Sequence, residues 1–274
     1  MTWVFGTATD FFGTAICVSD IQVTMADGET IDCLQKMYPV ARNVVAGFAG
    51  DVQLGFAMLE DLARLLREER PAPETMSEFS RTAKARFAGA LAHQREGGSE
   101  LLIAYVLPDE RMVYGGRPVV CRLRCPDFNF EEIPRGTWGS IGSGTDIPAY
   151  QQELEKLTGE ETDPLLQMEV NRPGGYAHTM FVALTGAIAE FEPVPGISRH
   201  FHSCVVTVEG WEGGSSDRTM FGPDGEVVEI KMPKVATSFG ELQELLHAER
   251  EAATVGAVAA PAPADTLTIP SCVM

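Results

Sequence analysis

The sequence predicts an α+β fold in which helix layers enclose a core of two β-sheets, an α-β-β-α sandwich. Three observations carry that expectation. Short β-rich runs open the chain, two long amphipathic patterns follow, and groups of strands and helices then alternate again. A chain of 274 residues, 45% hydrophobic and 22% charged, holds enough apolar material for a large core without cross-links. Helices that arrive in pairs between groups of strands suit layers lying outside stacked sheets.

Trp3–Thr7 and Gly13–Ser19 read as strands, with Thr9-Asp10 as the turn between them. A third strand begins near Val23, ahead of a turn at Asp27-Gly28. Val44–Gly50 is an apolar run closed by glycine, the pattern of a buried strand. The period then changes. Phe56, Leu59, Leu62 and Leu66, with Met58 and Leu65 beside them, predict a helix over 51–69 that Pro71 and Pro73 stop. Met76, Phe79, Ala83, Phe87 and Leu91 predict a second helix over 74–94, closed by Gly97-Gly98. Further strands are expected at Leu101–Val106, Met112–Tyr114, Val119–Leu123, Trp138–Gly144 and Ser203–Val208, and further helices at Ile147–Leu157, Ala177–Phe191 and Phe239–Ala252. Gly213–Ser216 reads as a loop, and Asp224-Gly225 as a hairpin turn. The Ala- and Pro-rich stretch 252–274 reads as a flexible tail.

Charge and cysteine usage narrow the function classes. Lys and Arg number 21 against 39 Asp and Glu, a net −18, which weighs against binding nucleic-acid phosphates or an anionic membrane. No apolar run is long enough to span a bilayer and no basic leader is present, so a cytoplasmic protein with six reduced thiols is expected. Cys121 and Cys125 are the only close cysteine pair, with no second pair at zinc spacing, so neither a metal nor a cofactor is expected. His200-Phe201-His202 puts two imidazoles on one face of an extended segment, which suits a subunit contact better than a metal. Gly213–Ser216 lacks the lysine and helix of a phosphate loop.

Chemistry can begin at Thr2. A small residue after Met1 permits removal of the initiator methionine, leaving a free α-amine beside the threonine hydroxyl. Such an amine has a pKa near 8, and it can take the proton of its own hydroxyl without a histidine. The surrounding pattern gives this weight. Strand Trp3–Thr7 follows at once, the second strand ends in Val18-Ser19-Asp20, and Lys36-Met37, Val45–Gly50 and Gly142-Ser143-Gly144 come after in order. In these motifs the chain resembles the proteasome β-subunit family, and its bacterial HslV-like members most closely, over residues 2–208.

That resemblance implies the fold of the N-terminal nucleophile hydrolases, with 209–251 as an extension of hairpin and helix and 252–274 as the tail. It implies a threonine-type peptidase: Thr2 as nucleophile, its α-amine as base and then acid, Lys36 as the nearby positive charge, Asp20 as the partner of Lys36, Gly50 as an oxyanion donor, and Ser143 to orient the amine. By the same matching, Val23, Leu34, Tyr38, Phe48, Val52 and Phe56 would line an apolar specificity pocket. A homo-oligomeric ring, six- or sevenfold and stacked, acting on unfolded polypeptide with an ATPase unfoldase, is implied likewise. Two departures stand out. Pro195 and Leu54 occupy places where the family has aspartates, so a silent ring subunit, or an amidase or transpeptidase on the same fold, is the alternative.

Overall fold

In the computed structural model, the described residues are 2–9, 13–25, 28–68, 70–113, 115–152, 197–198, 200–214, 218–221 and 227–248. The chain opens with β1 (Trp3–Thr9), β2 (Thr14–Asp20), β3 (Gln22–Thr24), β4 (Thr30–Asp32), β5 (Met37–Ala41) and β6 (Val44–Gly50). Three helices follow, α1 (Val52–Glu68), α2 (Pro73–Ala88) and α3 (Ala92–Gly97). Next come β7 (Ser99–Pro108), β8 (Gly116–Arg124), β9 (Glu131–Glu132), β10 (Trp138–Gly142) and a 3-10 turn at Ser143–Asp146. After them lie β11 (Phe201–Val206), β12 (Trp211–Gly214), β13 (Arg218–Phe221) and β14 (Val227–Ile230). Residues 148–152 and 239–248 are also helical.

Two five-stranded sheets organise these elements, ordered β10-β1-β2-β11-β12 and β5-β6-β7-β8-β9, and every strand pair in them is antiparallel. Alternate residues of a strand face opposite sides of its sheet, and both sides are buried here. On β6 and β7, Val44, Ala46, Phe48, Leu101, Ile103 and Tyr105 pack towards α1 and α2. Their neighbours Val45, Ala49, Leu102, Ala104 and Val106 join Val4, Ala8, Ala15, Cys17 and Val206 of the first sheet. The outer face of the first sheet carries a third cluster, Trp3, Phe5, Val18 and Phe201, packed with Tyr150 and Ile197. This double burial is why β6 and β7 read as continuous apolar runs rather than alternating ones.

Helix α1 is placed by its stripe of Leu54, Met58, Leu59, Leu62 and Leu66, all buried on the second sheet. Asp51 caps it, its carboxylate accepting the Leu54 N–H at 2.7 Å. The expected helix over 74–94 is corrected to two. α2 stops at Ala88, Gly89 donates its N–H to the Ala85 carbonyl, and α3 starts at Ala92. Glycine is a poor helix former, and its position leaves Leu91 outside the apolar stripe, exposed at the cap of α3. The strand expected at Met112–Tyr114 is instead a turn at Met112 and Val113. Asp109 organises it by accepting from the Arg111 guanidinium, while Val113 stays 90% exposed and Tyr114 lies outside the described residues. Thr9 belongs to β1, and Gly213 and Gly214 belong to β12 and not to a loop. The run Trp138–Gly144 divides into β10 and the 3-10 turn. Asp10, Asp27, the Asp224-Gly225 turn, the helix expected at Ala177–Phe191, Ser215, Ser216 and the tail lie outside the described residues.

Several described residues after 208 pack on the same core. β12 extends the first sheet, Ala236 bridges Leu34 in parallel, and Leu242 is buried beside α1. Among the described residues no helix is long and apolar enough to cross a membrane. α1 and α2 are tied by Asp61, which is almost fully buried and accepts from Arg86 at 2.8 and 2.9 Å and from Arg64 at 2.8 Å. Both arginines reach water, so the pair is worth less than a fully buried one. Asp61→Ala is expected to lower unfolding free energy by about 1–2 kcal/mol, measured by urea denaturation.

Candidate active site

Thr2 precedes the interior strand β1, which is hydrogen-bonded to β10 on one side and β2 on the other. The register pairs Trp3 with Gly142 and so sets Ser143 beside Thr2. The Thr2 N–H donates to Ser143 Oγ at 3.1 Å, and the Thr2 carbonyl accepts from the Ser143 hydroxyl at 3.4 Å. Gly142, at φ +82°, makes the bend that lets the 3-10 turn cross the chain start. A cleft of about 380 Å3 opens here, lined by Thr2, Gly50, Gly98, Glu100, Gly142 and Ser143 among others. Gly50 has φ +99°, and a Cβ there would lie 2.6 Å from the Gly98 carbonyl oxygen, so only glycine fits.

Beneath β1 lies a buried ion pair. Asp20, at the end of β2, and Lys36, just before β5, are both sealed from solvent with Lys36 Nζ 2.9 Å from Asp20 Oδ1. The Asp20 carboxylate also accepts the N–H groups of Trp3 at 2.8 Å, Gln22 at 3.1 Å and Ser198 at 3.4 Å. The ammonium has a second acceptor in the Gln22 carbonyl. Burial lowers the Lys36 pKa, and Asp20 and then Asp32 oppose that fall by stabilising the cation. An ion pair this deep is held by its hydrogen bonds as much as by Coulomb attraction.

A second cluster adjoins the pair. Asp32 Oδ2 accepts the Ser198 hydroxyl at 2.5 Å and lies 2.8 Å from His200 Nδ1, and its Oδ1 accepts the Gln22 side-chain amide at 3.0 Å. Burial raises the Asp32 pKa, but the hydrogen bonds of His200, Ser198 and Gln22 outweigh it and hold the carboxyl below its ordinary value. His200 Nδ1 faces both Ser198 and Asp32, so one and the same ring nitrogen meets serine and aspartate, which is not the two-nitrogen relay of a catalytic triad. His202 is buried in β11, and burial lowers its pKa. Among the described residues no group of three or more potential metal ligands occurs.

The structure thus brings Thr2, Gly50 and Ser143 into one cleft and sets Asp20 and Lys36 directly behind Trp3. It places the six expected pocket residues elsewhere. Val23, Leu34 and Phe48 are buried in the core between the second sheet and its helices, with Tyr38, Val52 and Phe56 packed on that core. The rings of Tyr38, Phe48 and Phe56 touch one another, and Phe239 of the C-terminal helix packs at a tilt against Phe56 with ring centroids 6.3 Å apart. None of the six lines the cleft at Thr2. Sequence reading missed Glu100, whose carboxylate accepts the Gly142 N–H at 2.8 Å and pairs with Arg124 at 3.3 Å. It also missed Asp32 and the partners of His200. No local motif marks them, because their neighbours are distant in sequence. Leu54, in place of an expected aspartate, is a core residue of α1.

No protein-family model matches the chain, and no curated protein matches its sequence. Two outcomes follow from the site's electrostatics. Lys36→Met leaves the Asp20 carboxylate buried without its cation and is expected to cost about 3–5 kcal/mol, with Asp20→Asn/Lys36→Met costing less than the summed single variants in denaturant titrations. Because the Asp32 pKa is lowered in the fold, its stabilisation is complete above the unfolded carboxylate value near 4 and is lost as pH falls through the folded value. Thermal melts between pH 5 and 2, a range on the order of that window, are expected to drop more steeply for the wild type than for Asp32→Asn.

Proposed function

We propose that the protein is an N-terminal threonine hydrolase that cleaves amide bonds of peptides, with Thr2 as nucleophile after loss of Met1. The observation that carries this reading is the Thr2 nitrogen held 3.1 Å from Ser143 Oγ in a cleft that Gly50 also lines. With Met1 removed, the same nitrogen becomes an α-amine. It takes the proton of the Thr2 hydroxyl as the oxygen attacks the substrate carbonyl, and passes that proton to the leaving amine. The resulting ester is hydrolysed by water, which regenerates Thr2. Lys36 supplies a fixed positive charge behind the nucleophile, kept ionised by Asp20. Gly50 lies at a strand end next to the start of α1, where an N–H donor and the helix dipole favour a developing oxyanion.

The finer architecture belongs to the same proposal. Tyr150, Ile147 and Ile197 already cover the outer face of the first sheet, which supports a second helical layer there and hence a four-layer α-β-β-α sandwich. A stacked homo-oligomeric ring fed by an ATPase unfoldase would confine the nucleophile to unfolded chains.

The reading is tested by intact and peptide-level mass spectrometry with a β-lactone that acylates N-terminal threonine. Loss of Met1 and an adduct on Thr2 are expected, and Thr2→Ala is expected to abolish both the adduct and peptide hydrolysis. Retained Met1 or an unlabelled Thr2 would point to a silent subunit. Transfer of the acyl group to an added amine in place of water would point to a transpeptidase. For specificity, the Phe239 ring covers the aromatic cluster, so Phe239→Ala is expected to raise cleavage of fluorogenic peptides after large apolar residues relative to charged ones. An unchanged ratio would remove that cluster from the substrate path.

A further inference from the structure

Ser198 is buried, and its hydroxyl and backbone are engaged by two different carboxylates. Its N–H donates to Asp20 Oδ2 at 3.4 Å, while its hydroxyl donates to Asp32 Oδ2 at 2.5 Å and accepts the His200 N–H at 2.8 Å. Gln22 makes a parallel bridge. Its N–H donates to Asp20, its carbonyl accepts from Lys36, and its side-chain amide donates to Asp32. Asp32 is therefore the point where both bridges meet. It sits in β4, opposite Gln22 in the two-stranded sheet with β3, outside the two main sheets.

We propose that Asp32 is a positioning residue for the site: through Ser198 and Gln22 it holds the Asp20 carboxylate in register with Lys36 behind Thr2. The proposal rests on the Thr2 reading for its link to catalysis, but its claim on Lys36 stands apart. The charged and polar groups facing Lys36 are Asp20 from β2, the Gln22 carbonyl from β3, Asp32 from β4 and Cys33 after it. Those facing Asp32 are His200 and Ser198 from the segment before β11, Gln22 from β3 and Lys36. Removing the Asp32 charge withdraws one of the two carboxylates that oppose the effect of burial on Lys36.

Two measurements on the full-length protein test this. Nitrogen-15 NMR of the Lys36 side chain is expected to show the ammonium losing its proton at lower pH in Asp32→Asn than in the wild type. β-Lactone labelling of Thr2 is expected to slow on the order of 10- to 100-fold in Asp32→Asn, with its alkaline limb moved to lower pH, and peptide hydrolysis to lose kcat while KM holds. Asp32→Glu keeps the charge but changes its reach. It is expected to leave the Lys36 titration near the wild-type value while labelling still slows, and it carries the test if Asp32→Asn does not fold. A Lys36 titration unmoved in Asp32→Asn, or wild-type labelling in both variants, overturns the proposal. A shifted Lys36 with an unlabelled wild-type Thr2 overturns the peptidase reading and leaves the Lys36 assignment in place.

Discussion

The buried Asp20–Lys36 pair is the constraint on which the site depends. Neither group can lose its partner without leaving a charge in a medium that solvates it poorly. Asp20 therefore gathers donors from three separate stretches, Trp3, Gln22 and Ser198, and binds the chain start, the β2–β3 junction and the segment before β11 to one carboxylate. An interaction of this kind contributes little net stability compared with an apolar replacement. What it contributes is a tie between distant segments: three backbones converge on one carboxylate.

The sheets supply the rigidity around that point. β1 is hydrogen-bonded on both sides, and its two faces bury Val4 and Ala8 inward and Trp3 and Phe5 outward. A one-residue slip would exchange those faces, so the register of Thr2 against Ser143 is fixed by core packing as well as by the ladder. Glu100 extends the same logic from the second sheet, since its carboxylate on β7 holds the Gly142 N–H at the end of β10. The cleft is thus assembled from the ends of both sheets, with the C-terminal end of α3 at Gly97 in its wall.

Much of this was legible in the sequence where the signal was local. The 3.6-residue stripe of α1, the glycine-terminated run of β6 and the apolar run of β7 each follow from burial on a known period. Thr2, Asp20, Lys36, Gly50 and Ser143 were singled out by the resemblance alone, and the structure adds that Thr2, Gly50 and Ser143 share a cleft and that Asp20 meets Lys36. The failures share a cause as well. Leu91 continued an apolar period across Gly89, where the helix had already stopped. Met112 and Val113 looked like strand residues, but backbone hydrogen bonds from Met112 to Asp109 and from Gly115 to Met112 fold them into a turn. Asp32, Ser198 and His200 meet across more than 160 residues, and no spacing rule spans that distance.

The aromatic cluster shows how far a positional reading carries. Tyr38, Phe48 and Phe56 do converge, as expected of pocket residues, yet convergence of rings is also what a core does. The deciding feature lies outside the segment that suggested them. Leu34 is bridged by Ala236, and Phe239 and Leu242 close over the cluster from the C-terminal side. The burial of Tyr38 follows from the same cover, which pushes its phenol pKa upward, with the nearby Glu241 carboxylate adding to the effect. The C-terminal segment thereby covers this apolar cluster. The groups that face the cleft at Thr2 are instead Glu100 and the glycine-rich walls at Gly50 and Gly98.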